Sequence, residues 1–457
     1  MGRDIGKACA SGQGVIADLK HRLHRHAFRE RYAFLDELLN NQTMSRAQLL
    51  EKQQRELHRI VHFAAEHTDF YAEKYAGLVY RGRPVPDVTA LPVLQKNEVL
   101  KHRDKMVART LDPASLRVGS TGGSTGKPLS FYYDRQKMEL MRAGMCRSYM
   151  WSGWRPGEKI LNFWGARQDI KGGAGIRKKY LDFIAAERTI PAYQYTESQL
   201  ADWAKQINAF RPVLLQGYAS ILAELARYIL EQNIAMPETL KGVYSTAEVL
   251  YDWQRQLMLR AFGCRVYNQY GSREIPNMAV ECQHGSQHVF TDMVYMESVR
   301  EDGEAKLLVT SLSNRVMPFI RYEIGDAGEL KAGECSCGSP FPMMEMGVCR
   351  SNDIIRTPTG KCIYPSYFIH LLDDLSGIRR YQFEQDRPDR IRLHVASARR
   401  LPDEVVRGLQ KRVSTEVDEY MRLEVIQTAE IPPTISGKHR FCLLYTSDAA
   451  DDQGLVL

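Results

Sequence analysis

Apolar residues recur at helical spacing through residues 15–75, among many arginine and histidine residues. The pattern predicts helices that bury one face, with apolar positions at Leu23, Phe28, Tyr32, Phe34, Leu35, Leu38 and Leu39. The basic run 21–26 is interpreted as a solvated helix face rather than a nucleic-acid or membrane-surface patch, because no aromatic-basic interleaving follows it. A further helix is predicted to begin near Lys96 and Asn97, after a proline-rich connection.

Short apolar runs alternate with helical stretches between residues 116 and 330. The predicted strands are Lys159–Trp164, Val213–Gln216, Gly242–Ser245 and Cys264–Gln269. The predicted helices are Glu197–Phe210, Ser220–Gln232 and Asp252–Phe262. Strands that alternate with helices indicate an α/β domain with a largely parallel sheet.

The pattern changes after residue 286. Period-two alternation predicts strands at Val289–Glu297 and Ala305–Thr310, with a turn at 301–303. From Asp353 onward, short strands and two helices are predicted, which indicates a small α+β domain. The predicted fold class is therefore α/β, with a large multi-layer N-terminal domain built on mostly parallel sheets and a small mobile α+β C-terminal domain.

Composition narrows the class of protein. The chain has 457 residues, of which 44% are hydrophobic and 26% charged, so a soluble globular protein with two or three domains is expected. The net charge of +7 is compatible with anionic ligands such as nucleotides but gives little support to nucleic-acid binding. Because no segment approaches the ~20 apolar residues of a membrane helix and no signal-peptide core is present, the expected location is the cytoplasm, with reduced thiols.

A glycine-rich loop lies between two short strand signals and ends in Lys127-Pro128. Its candidate phosphate-binding residues are Ser120, Thr121, Gly122, Gly123, Ser124, Thr125, Gly126 and Lys127. Glycines allow backbone N–H groups to converge, and the hydroxyl groups add donors, which suits phosphate oxygens. The loop is not a Walker A motif, because that motif would need glycine at Thr121 and a hydroxyl residue at Pro128. It is not a Rossmann fingerprint either, because a strand rather than a helix follows it.

The loop resembles the phosphate loop of the adenylate-forming enzymes, which include acyl-CoA ligases, luciferases and peptide-synthetase adenylation domains. Further motifs of this superfamily follow in the same order, at Tyr244–Glu248, Tyr270–Glu274, Arg321–Asp326, Arg350–Asp353 and Ser436–Lys438. Arg273 stands where the second of these motifs usually has threonine. Two segments, Met317–Tyr322 and Cys335–Gly338, resemble phenylacetate–CoA ligase and its relatives in capsular-polysaccharide clusters.

The resemblance implies an enzyme that uses ATP, Mg²⁺ and coenzyme A to activate a small carboxylic acid. Lys438 and Glu274 would be catalytic, with Lys438 between the carboxylate and the α-phosphate and Glu274 on Mg²⁺. Asp326 would accept hydrogen bonds from the ribose hydroxyls. Besides the loop, the implied nucleotide-binding residues are Ala247, Glu248, Tyr270, Gly271, Ser272, Asp326 and Arg350.

The expected organisation is a helical region at 1–90, an adenylation core at 91–348, a hinge at 349–353 and a small domain at 354–441. Asn352 occupies a place where the superfamily usually has a hinge aspartate or lysine. Rotation remains possible there, because hinges need tolerated backbone change rather than one particular side chain.

Aromatic and small residues at predicted strand ends form the candidate acid pocket, namely Trp164, Gly217, Tyr218 and Tyr244. The carboxyl ends of parallel strands face one crevice, which is where α/β proteins bind ligands. Packing of these aromatic rings in the core is an equally good interpretation. The acid, the acceptor and the oligomeric state are left open.

Four residues have the chemistry of a zinc site, namely Cys282, His288, Cys335 and Cys337. Three thiolates and one imidazole match a closed tetrahedral Zn²⁺ site, and His284 is a competing ligand. The alternative is a set of cysteines that merely pack.

Three functions remain open beside coenzyme A ligation. The chain could activate an acid for capsular or surface-polysaccharide synthesis with an acceptor other than coenzyme A, or it could be a non-catalytic nucleotide-binding relative. A basic nucleic-acid binder is favoured by the net charge alone, and no nucleic-acid partner is expected.

The segment 442–451 matches the translation of a transposase-type sequencing adaptor. Residues 442–457 are therefore excluded from the predicted fold, and the natural sequence is expected to depart near Phe441.

Overall fold

A computed structural model describes residues 12–85, 87–121, 129–164, 176–192, 197–301, 304–350, 355–359, 362–363, 371–372, 375, 378–397, 399–431 and 442–444. Within these ranges, no helix combines the length and the apolar character that crossing a bilayer requires.

The N-terminal region is helical, as its periodicity predicts. Its helices are α1 (Gly12–Ala27), α2 (Arg29–Asn41), α3 (Arg46–His67), α4 (Asp69–Lys74) and α5 (Lys96–His102). Ser45 begins α3 with a capping box, because its hydroxyl accepts from the Gln48 N–H and the Gln48 side chain accepts from the Ser45 N–H. Helices α2 to α5 share one core with the antiparallel strands described below.

A hairpin and a long helix follow. Strands β1 (Arg117–Ser120) and β2 (Ser130–Tyr133) pair antiparallel on either side of the glycine-rich loop. Asp134 then caps α6 (Arg135–Trp151) by accepting from the Lys137 N–H at 2.7 Å. The flanking strands were predicted, whereas α6 was not.

One sheet of 11 strands organises the large domain. Its parallel part contains β3 (Ile160–Trp164), β4 (Glu187–Pro191), β5 (Leu214–Tyr218), β6 (Gly242–Thr246) and β7 (Arg265–Tyr270), in the order β7-β6-β5-β3-β4. The connecting helices are α7 (Ile176–Ala185), α8 (Glu197–Phe210), α9 (Ala219–Glu231) and α10 (Asp252–Phe262). Strands β3, β5 and β6 are buried along nearly their whole length because both of their faces are covered.

The rest of this sheet is antiparallel. It contains β8 (Ala279–Glu281), β9 (Gln287–Val289), β10 (Val294–Glu301), β11 (Glu304–Ser311), β12 (Tyr322–Lys331) and β13 (Met343–Arg350), in the order β10-β11-β12-β13-β9-β8. The prediction of one strand over Val289–Glu297 is wrong. A turn at Phe290–Met293, closed by the Met293 N–H donating to the Phe290 carbonyl, separates β9 from β10.

The C-terminal segments have a core of their own. Strands β14 (Ile355–Arg356) and β15 (Cys362–Ile363) form a small ribbon. A 4-stranded sheet in the order β18-β17-β16-β19 combines β16 (Ile378–Arg387), β17 (Arg390–Ser397), β18 (Arg422–Thr428) and β19 (Cys442–Leu444), with α11 (Asp403–Arg412) between β17 and β18. The α/β fold class is confirmed.

Candidate functional site

The base of the glycine-rich loop is closed by its own residues. The Thr121 N–H donates to the Leu129 carbonyl at 2.8 Å, and the Leu129 N–H donates to the Thr121 hydroxyl at 2.9 Å. Ser120 ends β1 and pairs with Ser130. Residues Gly122, Gly123, Ser124, Thr125, Gly126 and Lys127 lie outside the described residues.

The loop after β7 folds back towards this hairpin. Ser272 and Ile275 close a tight turn, with the Ile275 N–H donating to the Ser272 hydroxyl at 3.0 Å. A Cβ atom at Gly271 would lie 2.9 Å from the Asn277 backbone nitrogen, so this approach requires glycine. Within the turn, Arg273 Nη1 donates to the Ser120 carbonyl at 2.9 Å, which joins the Tyr270 motif to the start of the phosphate loop.

Glu274 follows Arg273 in the same turn and is 5% exposed. A carboxylate that is buried to this extent needs a cation or hydrogen-bond donors to compensate its charge. Glu274 thus lies next to the residue that contacts the base of the glycine-rich loop, and its carboxylate offers oxygen donors of the kind that hard cations prefer.

Tyr270 and Asp326 meet across the sheet. The Tyr270 hydroxyl donates to Asp326 Oδ2 at 2.9 Å, which joins the end of β7 to the middle of β12. The strand register places Asp326 opposite Arg350 of β13, although the Arg350 side chain lies outside the described part of the chain. Two motifs that are distant in sequence are thus joined by a side-chain hydrogen bond.

The end of β6 contacts the end of β7, next to Tyr270. The Thr246 hydroxyl donates to Gln269 Oε1 at 2.8 Å, next to Tyr270. Ala247 has φ 69°, a left-handed conformation that costs free energy for a residue other than glycine and is enriched at functional sites. Glu248 Oε2 accepts from the Ser220 N–H at 2.8 Å, so its charge lies at the N-terminus of α9.

The four candidate pocket residues lie on neighbouring parallel strands, but they divide between two cores. Trp164 and Tyr218 pack edge to face with centroids 5.2 Å apart, on the side covered by α8 and α9. Tyr244 is 1% exposed and packs edge to face against Tyr149 of α6, at 5.1 Å. Gly217 is needed because a Cβ atom there would lie 3.0 Å from the Phe163 carbonyl oxygen. Core packing, the alternative left open above, describes Tyr244 well.

The candidate catalytic Lys438 and the hinge residues 351–354 lie outside the described residues. Their roles remain predictions from the motifs.

The cysteine–histidine group comes together on the antiparallel side of the sheet. The potential ligand atoms of Cys282, His288, Cys335 and Cys337 all lie within 4.8 Å of one another. Cys282 Sγ is 3.8 Å from Cys335 Sγ, and Cys337 Sγ is 3.4 Å from His288 Nε2. Two thiolates bound at about 2.3 Å to a tetrahedral ion would be separated by about 3.8 Å.

Hydrogen bonds from the surroundings of this group set the tautomer of His288 and orient the sulfur atoms. His288 Nδ1 lies 2.8 Å from the Phe341 carbonyl, so Nδ1 carries the proton and Nε2 directs its lone pair towards Cys337. The His284 and Ser339 backbone N–H groups donate to the Cys282 and Cys337 sulfur atoms, at 3.3 and 3.4 Å. His284, the competing candidate, instead has its ring nitrogen 3.0 Å from the Ser336 hydroxyl.

A buried lysine near the Tyr270 motif was not identified from the sequence. Lys137 of α6 is 9% exposed, and its ammonium group donates to the Ser311 hydroxyl at 3.2 Å. No sequence signal distinguishes it, because a lone lysine in a helix is normally solvated.

No family model matches the chain. It is 29% identical over 287 residues to Protein CapK of Staphylococcus aureus, a match that covers 62% of this chain and 63% of that protein. It is 27% identical over 344 residues to the phenylacetate-coenzyme A ligase of Thermus thermophilus, covering 71% of this chain and 75% of the ligase. The match therefore spans less than two thirds of the length of the CapK protein. It spans three quarters of the length of the Thermus thermophilus ligase.

The fold is similar to that of a 2-hydroxyisobutyryl-CoA ligase. The TM-score is 0.68 to that ligase in its postadenylation state, at 18% identity, with 90% of this chain and 93% of that chain covered. The same ligase in its thioesterification state gives 0.58. The resemblance inferred from the motifs is confirmed by these relatives and by the shared fold.

Proposed function

We propose that this chain is an AMP-forming acid–coenzyme A ligase. The observation that carries the proposal is the convergence of the glycine-rich loop and the Arg321–Asp326 motif on the Tyr270–Glu274 segment, through the Tyr270–Asp326 and Arg273–Ser120 hydrogen bonds. Similarity to phenylacetate-coenzyme A ligases supports the same activity.

Adenylation joins a carboxylate oxygen to the α-phosphorus of ATP and releases pyrophosphate. Both reactants are anionic, so the site must neutralise charge and hold the line of attack. We assign Ser120 and Thr121 to the base of the phosphate cradle, and Asp326 to the ribose hydroxyls. Lys438 would hold its ammonium group between the carboxylate and the α-phosphate. The thiol of coenzyme A then attacks the acyl carbonyl, and AMP leaves.

Glu274 is the proposed ligand for Mg²⁺. Its buried carboxylate offers the oxygen donors that Mg²⁺ prefers, beside the loop that would hold the phosphates. When bound, the ion neutralises phosphate charge. Arg273 holds this turn against Ser120 and thereby positions Glu274.

The C-terminal domain is expected to rotate about residues 349–353 between the two half-reactions. One arrangement cannot easily place both Lys438 and the incoming thiol at the same carbonyl. The structurally similar 2-hydroxyisobutyryl-CoA ligase has been solved in a postadenylation state and in a thioesterification state, which supports this expectation.

The cysteine–histidine group is the proposed site of a structural zinc ion. Its sulfur-rich donor set, its spacing and the oriented His288 ring fit tetrahedral Zn²⁺. Cys282 and His288 flank the β8–β9 turn, whereas Cys335 and Cys337 precede β13. The ion would therefore tie the β8–β9 turn to the segment that leads into β13. Free thiols at these positions fit a reducing compartment, for which we propose the cytoplasm.

A second candidate function is acid activation for surface-polysaccharide synthesis with an acceptor other than coenzyme A. The similarity to Protein CapK favours it. Both candidates share the adenylation step and differ in the second step.

Carboxylate-dependent exchange of pyrophosphate into ATP tests the shared step. We expect exchange with at least one acid from an aliphatic and aromatic panel, and loss of exchange in Lys438→Ala and Glu274→Gln. Removal of a group that acts on the developing charge lowers kcat with less effect on ATP binding. Lys205→Met, on the exposed face of α8, is the matched control.

Unchanged exchange in Lys438→Ala would refute the role assigned to Lys438. If no acid of the panel supports exchange, the chain would instead be a non-catalytic nucleotide-binding relative. Acyl-AMP that coenzyme A fails to consume would favour the second candidate.

A further inference from the structure

A small, partly open cavity lies between α6 and the loop that follows β7. Its lining combines apolar side chains, among them Met141, Ile275, Pro276 and Met293, with polar groups from Lys137, Ser311 and Ser313. The enclosed part has room for about one water-sized group. Ile275 and Pro276 come directly after Glu274, so the cavity adjoins the proposed adenylation site.

Lys137 brings a cation into this cavity without a carboxylate hydrogen-bonded to it among the described residues. Its described hydrogen bond goes to the neutral Ser311 hydroxyl, at 3.2 Å. Glu139 pairs with Arg31 at 2.8 Å, whereas the Asp134 carboxylate accepts from the Lys137 backbone N–H and acts on the ammonium group through its charge alone.

Such an arrangement costs free energy in the unliganded protein. A buried ammonium group loses its hydration, and a hydroxyl group replaces only part of it. Burial accordingly lowers the pKa of Lys137 to about 8, although Asp134 acts in the opposite direction. An anion that entered the cavity would compensate this charge with a charge-assisted hydrogen bond.

We infer that this cavity is a subsite for an anionic substituent of the acid, so that the substrate class is small dicarboxylic acids. The inference rests on the proposed ligase function. The first carboxylate is activated beside Glu274, and an oxygen of the second occupies the water-sized end of the cavity at Lys137 and Ser311. The apolar lining contacts the carbon chain between the two carboxylates.

The test compares acids in pairs that differ in the second carboxylate, namely butanoate with butanedioate, pentanoate with pentanedioate, and benzoate with benzene-1,3-dicarboxylate. Pyrophosphate exchange gives kcat/KM for each acid. We expect the wild-type protein to prefer the dicarboxylate of at least one pair. Lys137→Met should lower that preference about 10- to 100-fold, since a charged hydrogen bond is lost. Lys205→Met should leave the preference unchanged.

Direct binding separates this inference from the ligase function. Butanedioate should raise the unfolding temperature of the wild-type protein more than butanoate does, and Lys137→Met should remove the difference. Lys137→Gln, which keeps a donor for Ser311, serves if the methionine variant does not fold. If the protein catalyses exchange but Lys137→Met changes neither selectivity nor binding, the cavity holds only water and the inference is overturned. The proposed ligase function would remain intact. Dicarboxylate binding that depends on Lys137 without any exchange would support the subsite and count against the ligase function.

Discussion

Helix α6 buries two cationic side chains, Arg147 and Lys137, and their surroundings differ in kind. Arg147 is 0% exposed and makes two hydrogen bonds to Asp292, at 2.6 and 3.0 Å. Its guanidinium group also stacks 3.9 Å from the centroid of the Phe290 ring. Lys137, near the other end of the helix, has the Ser311 hydroxyl and an adjoining cavity.

The difference separates a structural charge from one that is available to a ligand. Arg147 is compensated inside the chain, so its charge holds α6 against the Phe290–Met293 turn. Lys137 lacks such compensation among the described residues, so its free energy depends on what enters the cavity. The cysteine–histidine group is a third case, in which several thiols converge and a bound cation would compensate their charge.

The largest expected effect is on the compensated pair. Arg147→Met should lower the free energy of unfolding by roughly 3–5 kcal/mol, because it leaves the Asp292 carboxylate buried. The Asn41 side-chain amide, which donates at 2.9 Å, is the remaining described partner of Asp292. Urea denaturation measures the change. Arg227→Met is the control, since Arg227 pairs with Glu224 within α9 and is 28% exposed. If Arg147→Met and Arg227→Met lower the free energy of unfolding by the same small amount, Arg147 is not the structural charge that we infer.

A smaller loss of stability is expected at the cysteine–histidine group. Cys335→Ser should weaken metal binding at least about 10-fold, which corresponds to about 1.4 kcal/mol at saturating zinc. Elemental analysis should find one Zn²⁺ per chain in the wild-type protein and less in the variant. Cys264→Ser, at a free cysteine that is not one of the four candidate ligands, is the matched control. A metal-free wild-type protein with unaltered thermal stability would contradict the zinc proposal.

The sequence predicted those elements whose physical basis is local and periodic. Helices α8 and α10 have the predicted bounds because their apolar stripes are regular. Helix α6 was not predicted because Lys137, Glu139 and Arg147 interrupt its buried face. A prediction based on apolar periodicity assigns such charged residues to the exposed face. The break between β9 and β10 was missed because a short turn does not disturb the alternation of the flanking strands.

Candidate sites could be predicted from the sequence where their residue types are themselves distinctive. Cysteine and histidine at metal-ligand spacing, and a glycine-rich loop with hydroxyls, are informative because few structural roles need those residue types together. The Tyr270–Asp326 contact could be anticipated from motif order, but its geometry depends on sheet register. Lys137 could not be found in this way, since its significance comes from burial and from a cavity formed by segments distant in sequence.

The pH dependence of stability tests whether Lys137 is uncompensated. Its folded-state pKa of about 8 lies below the ordinary value of 10.5, so the unfolded chain binds more protons between these limits. The burial penalty is fully present below about pH 8 and is relieved as the pH rises towards 10.5. The stability of the wild-type protein relative to Lys137→Met should therefore increase over this range. A difference between the two proteins that does not vary with pH would mean that a counter-charge already compensates Lys137.

The smallest expected effect concerns β19, whose described contacts are those of backbone pairing with Phe383–Gln385 of β16. Three uncharged residues form this strand, so its removal alters no buried charge of the kind compared above. If the adaptor interpretation of residues 442–457 holds, truncation after Leu444 and truncation after Phe441 should give unfolding temperatures within about 1 °C of each other, which corresponds to about 1 kcal/mol for a chain of this size. Both should retain the exchange activity of the full chain, since Lys438 is present in each. A larger drop for the shorter protein alone would assign β19 a structural part in the C-terminal sheet, and the adaptor interpretation would then be wrong about its consequences.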